Sequence, residues 1–167
     1  MLSYLKFTKQ FSTSINMKKI LLLLGFSILT SCSSIKNTTQ KPFVWEGANV
    51  YFLLTDRFKN GDTSNDINFN RTEKAAVLRG FEGGDLRGII QKIDDNYFSD
   101  LGINAIWMTP VVEQIHGATN EGTGNTYAFH GYWTKDWTEL DPNFGTKKDL
   151  KELVDKAHQK GIRIIYF

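Results

Sequence analysis

Cysteine and long hydrophobic runs are both scarce in this chain of 167 residues. The single cysteine, Cys32, excludes an internal disulfide bond, and a lone cysteine in an exported protein needs another explanation. The longest apolar run near the start covers only residues 20–29. A helix that crosses a membrane needs about 20 apolar residues, so this run is too short to span a bilayer.

Positive charge is also scarce outside the front end. The net charge is +2, and residues 1–31 contain no acid but four lysines: Lys6, Lys9, Lys18 and Lys19. Without these lysines, 16 basic residues face 18 acidic ones. A mildly acidic body with no basic stripe argues against a nucleic-acid partner. Apolar content of 41% and charged content of 23% are typical of one globular domain.

The front of the chain has the pattern of a secretory signal peptide over residues 1–31. Met17-Lys18-Lys19 precedes the short apolar run, as a basic start precedes the core of such signals. Residues 1–16 then read as an extension from an over-early start codon.

The apolar run ends in Leu29-Thr-Ser-Cys32, which resembles a bacterial lipobox, in which the cysteine is lipidated. The alternative is an ordinary signal peptide with an incidental cysteine. Lipidation of Cys32 predicts an exported lipoprotein anchored to a membrane, periplasmic or at the cell surface. The polar residues that follow predict a flexible tether over residues 32–44.

Strand and helix patterns alternate over residues 45–167. Short apolar runs predict three parallel strands, residues 49–55, 103–108 and 162–167, of which the first is expected to be buried on both faces and the second to be buried. A helix capped by Asp85 is expected to run to Leu101 and end at Gly102. A second helix is expected to open with a Thr146–Asp149 capping box and to end at Gly161.

The two strand-to-helix connections, residues 56–84 and 109–145, are far longer than the usual two to six residues or so. Both leave the carboxyl ends of parallel strands, so we expect them on the same rim of the sheet. An α/β barrel builds its active site on that rim. A doubly wound sheet also binds ligands there, but no G-x-G-x-x-G follows any strand.

The second connection carries a ring-rich stretch, Asn125–Trp133, that continues to Trp137 and Asp141-Pro142. It has neither a helical nor a strand period. Flat rings with polar edges suit sugars, whose C–H faces stack on aromatics while their hydroxyls form hydrogen bonds. The alternative is a loop folded onto its own core.

The first connection carries an oxygen-rich turn, Asn60-Gly-Asp-Thr-Ser-Asn-Asp66, with Gly83 and Asp85 across the loop. Oxygen donors at this density suit Ca²⁺, which takes six to eight of them. The turn is not an EF-hand, because the twelfth position is Arg71 rather than Glu. The alternative is ordinary turn chemistry.

Four segments in the right order resemble the start of the catalytic barrel of the α-amylase family, glycoside hydrolase family 13: Tyr51–Phe58, Gly83–Gly88, Leu101–Pro110 and His130–Trp133. Cyclodextrin glucanotransferases belong to the same family. The resemblance implies an α/β fold, the truncated N-terminal portion of a parallel (β/α)8 TIM barrel with about three βα units, over residues 45–167.

The resemblance also implies site residues. His130 would hydrogen-bond a hydroxyl of the glucose at the bond to be cut, Tyr132 would stack on that glucose, and Trp133 would pack beneath them. The cyclodextrin glucanotransferase branch implies a calcium site with these ligands: Asn60, Asp62, Asn65, Asp66, Asp85 and the carbonyl of Gly83. We expect Asp56 and Arg57 to form a structural ion pair, and Trp107 and Met108 to lie in the core.

The family's catalytic acids, an Asp, a Glu and an Asp, follow its fourth, fifth and seventh strands, so the resemblance places no catalytic residue in this chain. The expected function is a fragment of a retaining α-glucan hydrolase, which needs two carboxyl groups about 5–5.5 Å apart. We expect the chain alone to fold poorly, because residues 162–167 form an apolar edge, and to hydrolyse nothing. The alternatives are a non-catalytic α-glucan-binding lipoprotein and a non-functional truncated gene product.

Overall fold

The structure, a computed structural model, describes residues 42–166. The predicted signal peptide, the predicted lipidation site Cys32 and nearly all of the predicted tether lie outside these residues, as does Phe167. No helix within the described part of the chain is long and apolar enough to cross a membrane.

Seven strands and four α-helices form between residues 42 and 166. The strands are β1 (Val50–Leu53), β2 (Ala105–Met108), β3 (Val112–Gln114), β4 (Thr119–Asn120), β5 (Asn125–Thr126), β6 (Thr134–Leu140) and β7 (Arg163–Ile165). The helices are α1 (Thr55–Phe58), α2 (Leu86–Asp94), α3 (Tyr97–Asp100) and α4 (Lys147–Gln159).

Strands β1, β2 and β7 form a parallel sheet in that order. Val50 lies opposite Ala105, and Ala105 lies opposite Arg163. Helices α2 and α3 connect β1 to β2, and α4 connects β2 to β7. The predicted strand–helix–strand–helix–strand order with parallel pairing is confirmed.

The core lies between one face of this sheet and the helices. Its fully buried large side chains come from both layers: Ile106 and Met108 from β2, Leu86, Ile89, Ile90 and Ile93 from α2, Phe98 from α3 and Leu153 from α4. The apolar residues recur three and four positions apart in α2, which gives the helix one buried stripe. The predicted core position of Met108 is confirmed.

The other face of the sheet is not covered by helices. Phe52 and Trp107 are neighbours in register there, with their rings edge to face at 5.3 Å. Phe52 is 49% exposed and Trp107 is 37% exposed. The predictions that the first strand is buried on both faces and that Trp107 is a core residue are therefore wrong for this chain, because the helices pack on one side only.

The predicted helix from Asp85 to Leu101 is broken in two. Asn96 has a φ of 62° in the left-handed region, which ends α2 and lets α3 start again at Tyr97. Leu101 is exposed, whereas Phe98 still reaches the core. The predicted end at Gly102, with a φ of 71°, is confirmed.

The predicted capping interactions are confirmed. The Asp85 carboxylate accepts a hydrogen bond from the backbone N–H of Gly88 at 2.6 Å. Thr146 and Asp149 form the reciprocal capping box at the start of α4. Gly161 has a positive φ of 74° beyond the end of α4, as predicted.

The second long connection contains more strand than its sequence indicates. Strands β3 and β6 pair antiparallel, and β4 pairs with β5. The stretch that was predicted to have neither a helical nor a strand period does form strands, in β5 and over Thr134–Leu140. Most residues of β6 are exposed or half-buried, so the strand has no buried apolar face to produce a two-residue period.

Candidate functional site

A buried ion pair ties the two long connections together. The guanidinium of Arg71, in the first connection, donates to both carboxylate oxygens of Asp141, in the second, at 2.9 and 2.7 Å. The side chains of both residues are at most 1% exposed. A buried arginine with a two-pronged partner fixes position and orientation at once.

Asn143 extends this contact to the oxygen-rich turn. Its side-chain oxygen accepts a hydrogen bond from Arg71 at 2.7 Å. Its side-chain nitrogen donates to the backbone carbonyls of Asn65 and Asp66 at 3.0 and 2.7 Å. The oxygen-rich turn is thereby held against the second connection.

Gln114 extends the contact to the ring-rich turn, which is the part of the ring-rich stretch that contains His130, Tyr132 and Trp133. Its backbone N–H donates to Asp141 Oδ2 at 3.0 Å, and its Oε1 accepts from the backbone N–H of Trp133 at 2.8 Å. Hydrogen bonds therefore run without a gap from Asn65 through Arg71 to Trp133. The prediction that the two connections meet on one rim of the sheet is confirmed.

Sequence reasoning did not find Arg71, Gln114 or Asn143. Arg71 and Asp141 are 70 positions apart, so no local spacing connects them. The available signal was weak: Asp141 stands at the end of the ring-rich stretch, and Arg71 stands in a polar loop.

The ring-rich turn brings together the three predicted sugar-site residues. The rings of His130 and Tyr132 are near-parallel, with an interplanar angle of 17° and centroids 5.9 Å apart. The ring of Trp133 meets His130 edge to face at 4.7 Å. Tyr132 is 55% exposed, whereas His130 and Trp133 are half-buried.

The protonation state of His130 follows from its contacts. The backbone N–H of Tyr132 donates to Nδ1 of His130 at 3.0 Å, so Nδ1 is the acceptor. Burial lowers the pKa of His130, and the negative charge of Glu121 opposes this shift. A neutral imidazole with Nδ1 engaged in this way carries its proton on Nε2, where it can donate to a ligand oxygen.

A cleft of about 570 Å³ lies beside this turn. It is lined by Ile115, Thr119, Tyr132, Trp133, Thr134 and Trp137. The lining combines aromatic rings with hydroxyl groups, which offers both an apolar surface and hydrogen-bonding edges to a ligand.

The oxygen-rich turn folds around Asp85. Its Oδ1 accepts from the N–H groups of Gly61 and Gly88, and its Oδ2 accepts from the N–H of Asp62 and the side chain of Asn65. Burial raises the pKa of the Asp85 carboxyl, although the backbone donors oppose this. Asp85 thus organises the loop as well as capping α2.

The remaining predicted calcium ligands are close together. The side-chain nitrogen of Asn60 donates to Asp66 Oδ1 at 2.8 Å. A Cβ at Gly83 would lie 2.3 Å from Asn60 Nδ2 and 2.7 Å from Asp66 Oδ1. Asp62 Oδ1 accepts from the backbone N–H and the hydroxyl of Ser64, and this lowers the pKa of Asp62.

One oxygen in this turn fits a cation. Asn65 Oδ1 is buried and accepts no hydrogen bond from any residue in the described part of the chain. Within residues 42–166, no three His, Cys, Asp or Glu side chains form a group that could hold a metal ion. A cation here would need amide and carbonyl oxygens beside carboxylates, a mixed set that Ca²⁺ accepts.

Asp56 and Arg57 have the structural role that was predicted. Asp56 pairs with Arg57 and accepts from the backbone N–H groups of Glu82 and Gly83. Arg57 also donates to the backbone carbonyls of Leu78 and Gly80 at 2.9 Å, and lies 3.8 Å over the ring of Phe129. The pair therefore anchors residues 78–83, at the C-terminal end of the first connection.

A charged cluster that sequence reasoning missed lies on and beside the paired strands β3 and β6. Glu113 Oε1 is 2.6 Å from His116 Nε2 and 2.9 Å from Lys135 Nζ. Lys135 and then His116 lower the pKa of Glu113. The ring of His116 stacks on Phe69 at 3.9 Å, which adds a second contact between the two connections. The three-residue spacing of Glu113 and His116 was the available signal.

A parallel β-α-β-α-β unit whose long connections meet at the strand carboxyl ends is the arrangement of an α/β barrel with its site on that rim. The family model described as the alpha amylase catalytic domain matches residues 52–166, and the chain belongs to this family. The family's fold implies a (β/α)8 barrel, of which the described residues supply three parallel strands.

Among curated proteins, the chain is 52% identical over 132 residues to the periplasmic alpha-amylase of Escherichia coli (strain K12), covering 77% of this chain and 19% of that protein. It is 38% identical over 155 residues to a cyclomaltodextrin glucanotransferase of Geobacillus stearothermophilus, covering 86% and 22%. The chain thus spans about a fifth of the length of these relatives.

Among solved structures, the chain is similar to the cyclomaltodextrin glucanotransferase CldA, with a TM-score of 0.62, 36% identity and coverage of 70% of this chain and 24% of that one. It is also similar to AmyP, which was solved with maltotriose, with a TM-score of 0.55, 34% identity and coverage of 71% and 22%.

Proposed function

We propose that this chain is part of a retaining α-glucan hydrolase and that it provides the sugar-positioning section of the catalytic barrel. The observation that carries the proposal is the joined rim, where Arg71 and its partners hold the ring-rich turn and the oxygen-rich turn together. The names of the relatives support an α-glucan such as starch or a maltooligosaccharide as the substrate.

Three residues of the ring-rich turn have defined roles in this function. Tyr132 presents an exposed ring for stacking on a glucose face, and His130 presents an Nε2–H donor for a hydroxyl. Trp133 supports the imidazole from below. The carboxyl groups that cut the bond follow later strands of the family's barrel, so we expect this chain to contribute sugar contacts and not to hydrolyse.

Titration of the full chain with maltoheptaose tests the proposal. Tyr132→Ala should weaken binding about tenfold or more, which corresponds to about 1.4 kcal/mol or more. Tyr166→Ala, which removes an exposed tyrosine at the end of β7, is the matched control and should change nothing. Absence of binding, or equal binding by both variants, would count against the function. Release of reducing ends would contradict the expectation that this chain contacts the sugar without hydrolysing it.

We also propose that the oxygen-rich turn holds Ca²⁺. The residues that would hold it are Asn60, Asp62, Asn65, Asp66, Asp85 and the carbonyl of Gly83. The unpartnered Asn65 Oδ1 supports this assignment. The bound ion would pin a long loop that contributes little to the core, and it would act on stability rather than on the reaction.

We further propose that the protein is exported and held on a membrane through lipidated Cys32. The periplasmic location in the name of the Escherichia coli relative supports export. The lipobox-like Leu29–Cys32 stretch supports the anchor. Metabolic labelling with a palmitate analogue should mark the parent chain and leave Cys32→Ser unmarked, and labelling of both would contradict the assignment.

A further inference from the structure

The first described segment of the chain lies at the edge of the sheet opposite to the candidate site. The long connections leave the carboxyl ends of the parallel strands, whereas residues 43–49 lead into the amino end of β1. The guanidinium carbon of Arg163, at the start of β7, lies 5.3 Å from the ring centroid of Phe43. The backbone N–H of Asn49 donates to the side-chain oxygen of Asn104, just before β2, at 2.8 Å. The segment therefore passes along the amino ends of all three strands, and we call this edge the amino rim.

Three apolar side chains are exposed at the amino rim. Val44 is 64% exposed, Trp45 53% and Leu101 54%. Leu101 belongs to this rim because the carbonyl of the next residue, Gly102, accepts from the side chain of Asn49 at 3.0 Å. Exposed apolar side chains that gather at one edge of a protein mark a contact with another molecule or with a membrane.

The charges near the amino rim do not favour a charged partner. Arg163 lies over an aromatic ring, and Lys156 pairs with Asp94 at 2.6 Å. The acid Glu46 stands next to Trp45 in the sequence. Basic and acidic groups thus offset each other, so a contact here would depend on the apolar side chains rather than on attraction to one sign of charge.

The length of the tether limits how far the amino rim can lie from a lipid anchor. Cys32, the proposed lipidation site, and Pro42, the first described residue, are ten positions apart. A fully extended chain covers at most about 3.6 Å per residue, so this separation cannot exceed roughly 36 Å. A lipidated Cys32 therefore keeps the amino rim close to a bilayer surface.

We propose that the amino rim rests on the lipid surface in which Cys32 is anchored, with Val44, Trp45 and Leu101 in the headgroup layer. Tryptophan is enriched at this depth, because its ring is apolar while its N–H still finds a hydrogen-bond partner. The inference rests on the proposed lipidation and deepens it, because it fixes the orientation of the body. The sugar site, on the opposite rim, then faces away from the bilayer.

Quenching of tryptophan fluorescence by brominated lipid tests the contact. The lipidated parent chain is placed in vesicles of phosphatidylethanolamine and phosphatidylglycerol whose acyl chains carry bromine. Trp45→Phe should lose most of the quenching. Trp137→Phe, which removes a 71% exposed indole from the ring-rich stretch, is the matched control and should retain it. Quenching that is lost in Trp137→Phe instead would put the other rim on the membrane and overturn the proposal.

A second pair of variants tests the apolar contact without removing an indole. Val44→Glu should reduce the quenching about twofold or more, because a charge resists removal from water. Val77→Glu is the control, because Val77 is 90% exposed but lies in the first long connection. Equal effects of the two variants, or quenching that disappears in high salt, would contradict an apolar contact at the amino rim.

The outcomes separate this inference from the lipidation on which it rests. If the palmitate analogue marks Cys32 but brominated lipid does not quench Trp45, the anchor stands and the contact is wrong. If Cys32 is not marked, the anchor and the contact are both wrong, and the sugar site is unaffected. If acrylamide fails to quench Trp45 in Cys32→Ser without vesicles, protein covers the amino rim and the proposal is overturned.

Discussion

Arg71 and Asp141 form a two-pronged ion pair, with N–O distances of 2.7 and 2.9 Å, that is almost completely removed from solvent. It joins residues 70 positions apart, one from each of the two long connections. The phenyl rings of Phe69 and Phe81 lie 5.1 and 4.7 Å from the guanidinium carbon. The geometry of the candidate site therefore depends on one buried charge pair.

Arg71→Met keeps much of the side-chain length and removes the charge. The carboxylate of Asp141 would then remain buried without its partner, which typically costs about 3–5 kcal/mol. We expect a loss of this size in the free energy of unfolding from urea titrations followed by tryptophan fluorescence.

The control for this change is Arg79→Met. Arg79 also pairs with an acid of the second connection, Glu121, but at 3.5 Å and with both side chains partly exposed to solvent. Such pairs contribute about 0–1 kcal/mol. Equal losses in the two variants would show that the buried pair does not hold the connections together.

Local signals in the sequence were sufficient to predict the parallel sheet and the starts of its connecting helices. Asp85 and Thr146 are good caps followed by apolar stripes, and both helices start where these residues predict. The break at Asn96 was missed because Tyr97 and Phe98 continue the apolar stripe across it, so periodicity alone cannot show that the backbone turns. Trp107 was misassigned because an apolar strand does not show which of its faces the helices cover.

The contents of the site were only partly predictable. His130, Tyr132 and Trp133 lie within four consecutive residues, so one short motif predicted all three. The network that positions them depends on Arg71 and Gln114, whose partners lie in other segments of the chain. Pairing at such separations is decided by the tertiary fold, and no sequence period records it.

The pH dependence of the ring-rich turn should follow His130. Burial lowers its pKa, so the neutral form is favoured in the folded state. The stabilisation is fully present above the unfolded value of about 6.5 and is lost as the pH falls through the lowered folded pKa. Protonation of Nδ1 would also remove the hydrogen bond from the N–H of Tyr132.

Melting temperatures between pH 4 and pH 8 check this expectation. His130→Gln should flatten the fall in stability on the acid side relative to the parent chain. His158→Gln, in helix α4, removes a histidine outside the turn and is the matched control. An identical profile for the parent chain and His130→Gln would exclude His130 as the titrating group.

Calcium should stabilise the chain through the oxygen-rich turn. Two aspartates offer a matched comparison, because each accepts from the backbone N–H and the hydroxyl of the residue two positions on: Asp62 from Ser64, and Asp136 from Thr138. Only Asp62 lies in the oxygen-rich turn. Asp62→Asn should reduce the rise in melting temperature with added calcium, and Asp136→Asn should not.

Magnesium separates a specific site from general screening of charge. Mg²⁺ requires near-octahedral geometry and loses its water reluctantly, so it should replace calcium poorly. A melting temperature of the parent chain that does not respond to calcium would refute the site. An equal response to both ions, or an unchanged response in Asp62→Asn, would also refute it.

Gly83→Ala should distort the same turn. The new Cβ would collide with Asn60 and Asp66, and the φ of 89° is unfavourable for alanine. Gly102→Ala is the control, because its φ of 71° has a similar cost of about 1–2 kcal/mol but no atom lies within 4 Å of the added carbon. We expect Gly83→Ala to lose both more stability and the calcium response, as measured by thermal melts with and without calcium. Equal losses would mean that the close approach at Gly83 is unimportant.

NMR of the indole N–H and imidazole signals during a maltoheptaose titration shows directly whether the ring-rich turn, held in place by Arg71 and its partners, is a sugar site. We expect saturable shifts of the signals of His130, Trp133 and Trp137, with little change at Trp45. Shifts confined to Trp45, or an unchanged spectrum at saturating maltoheptaose, would contradict this expectation.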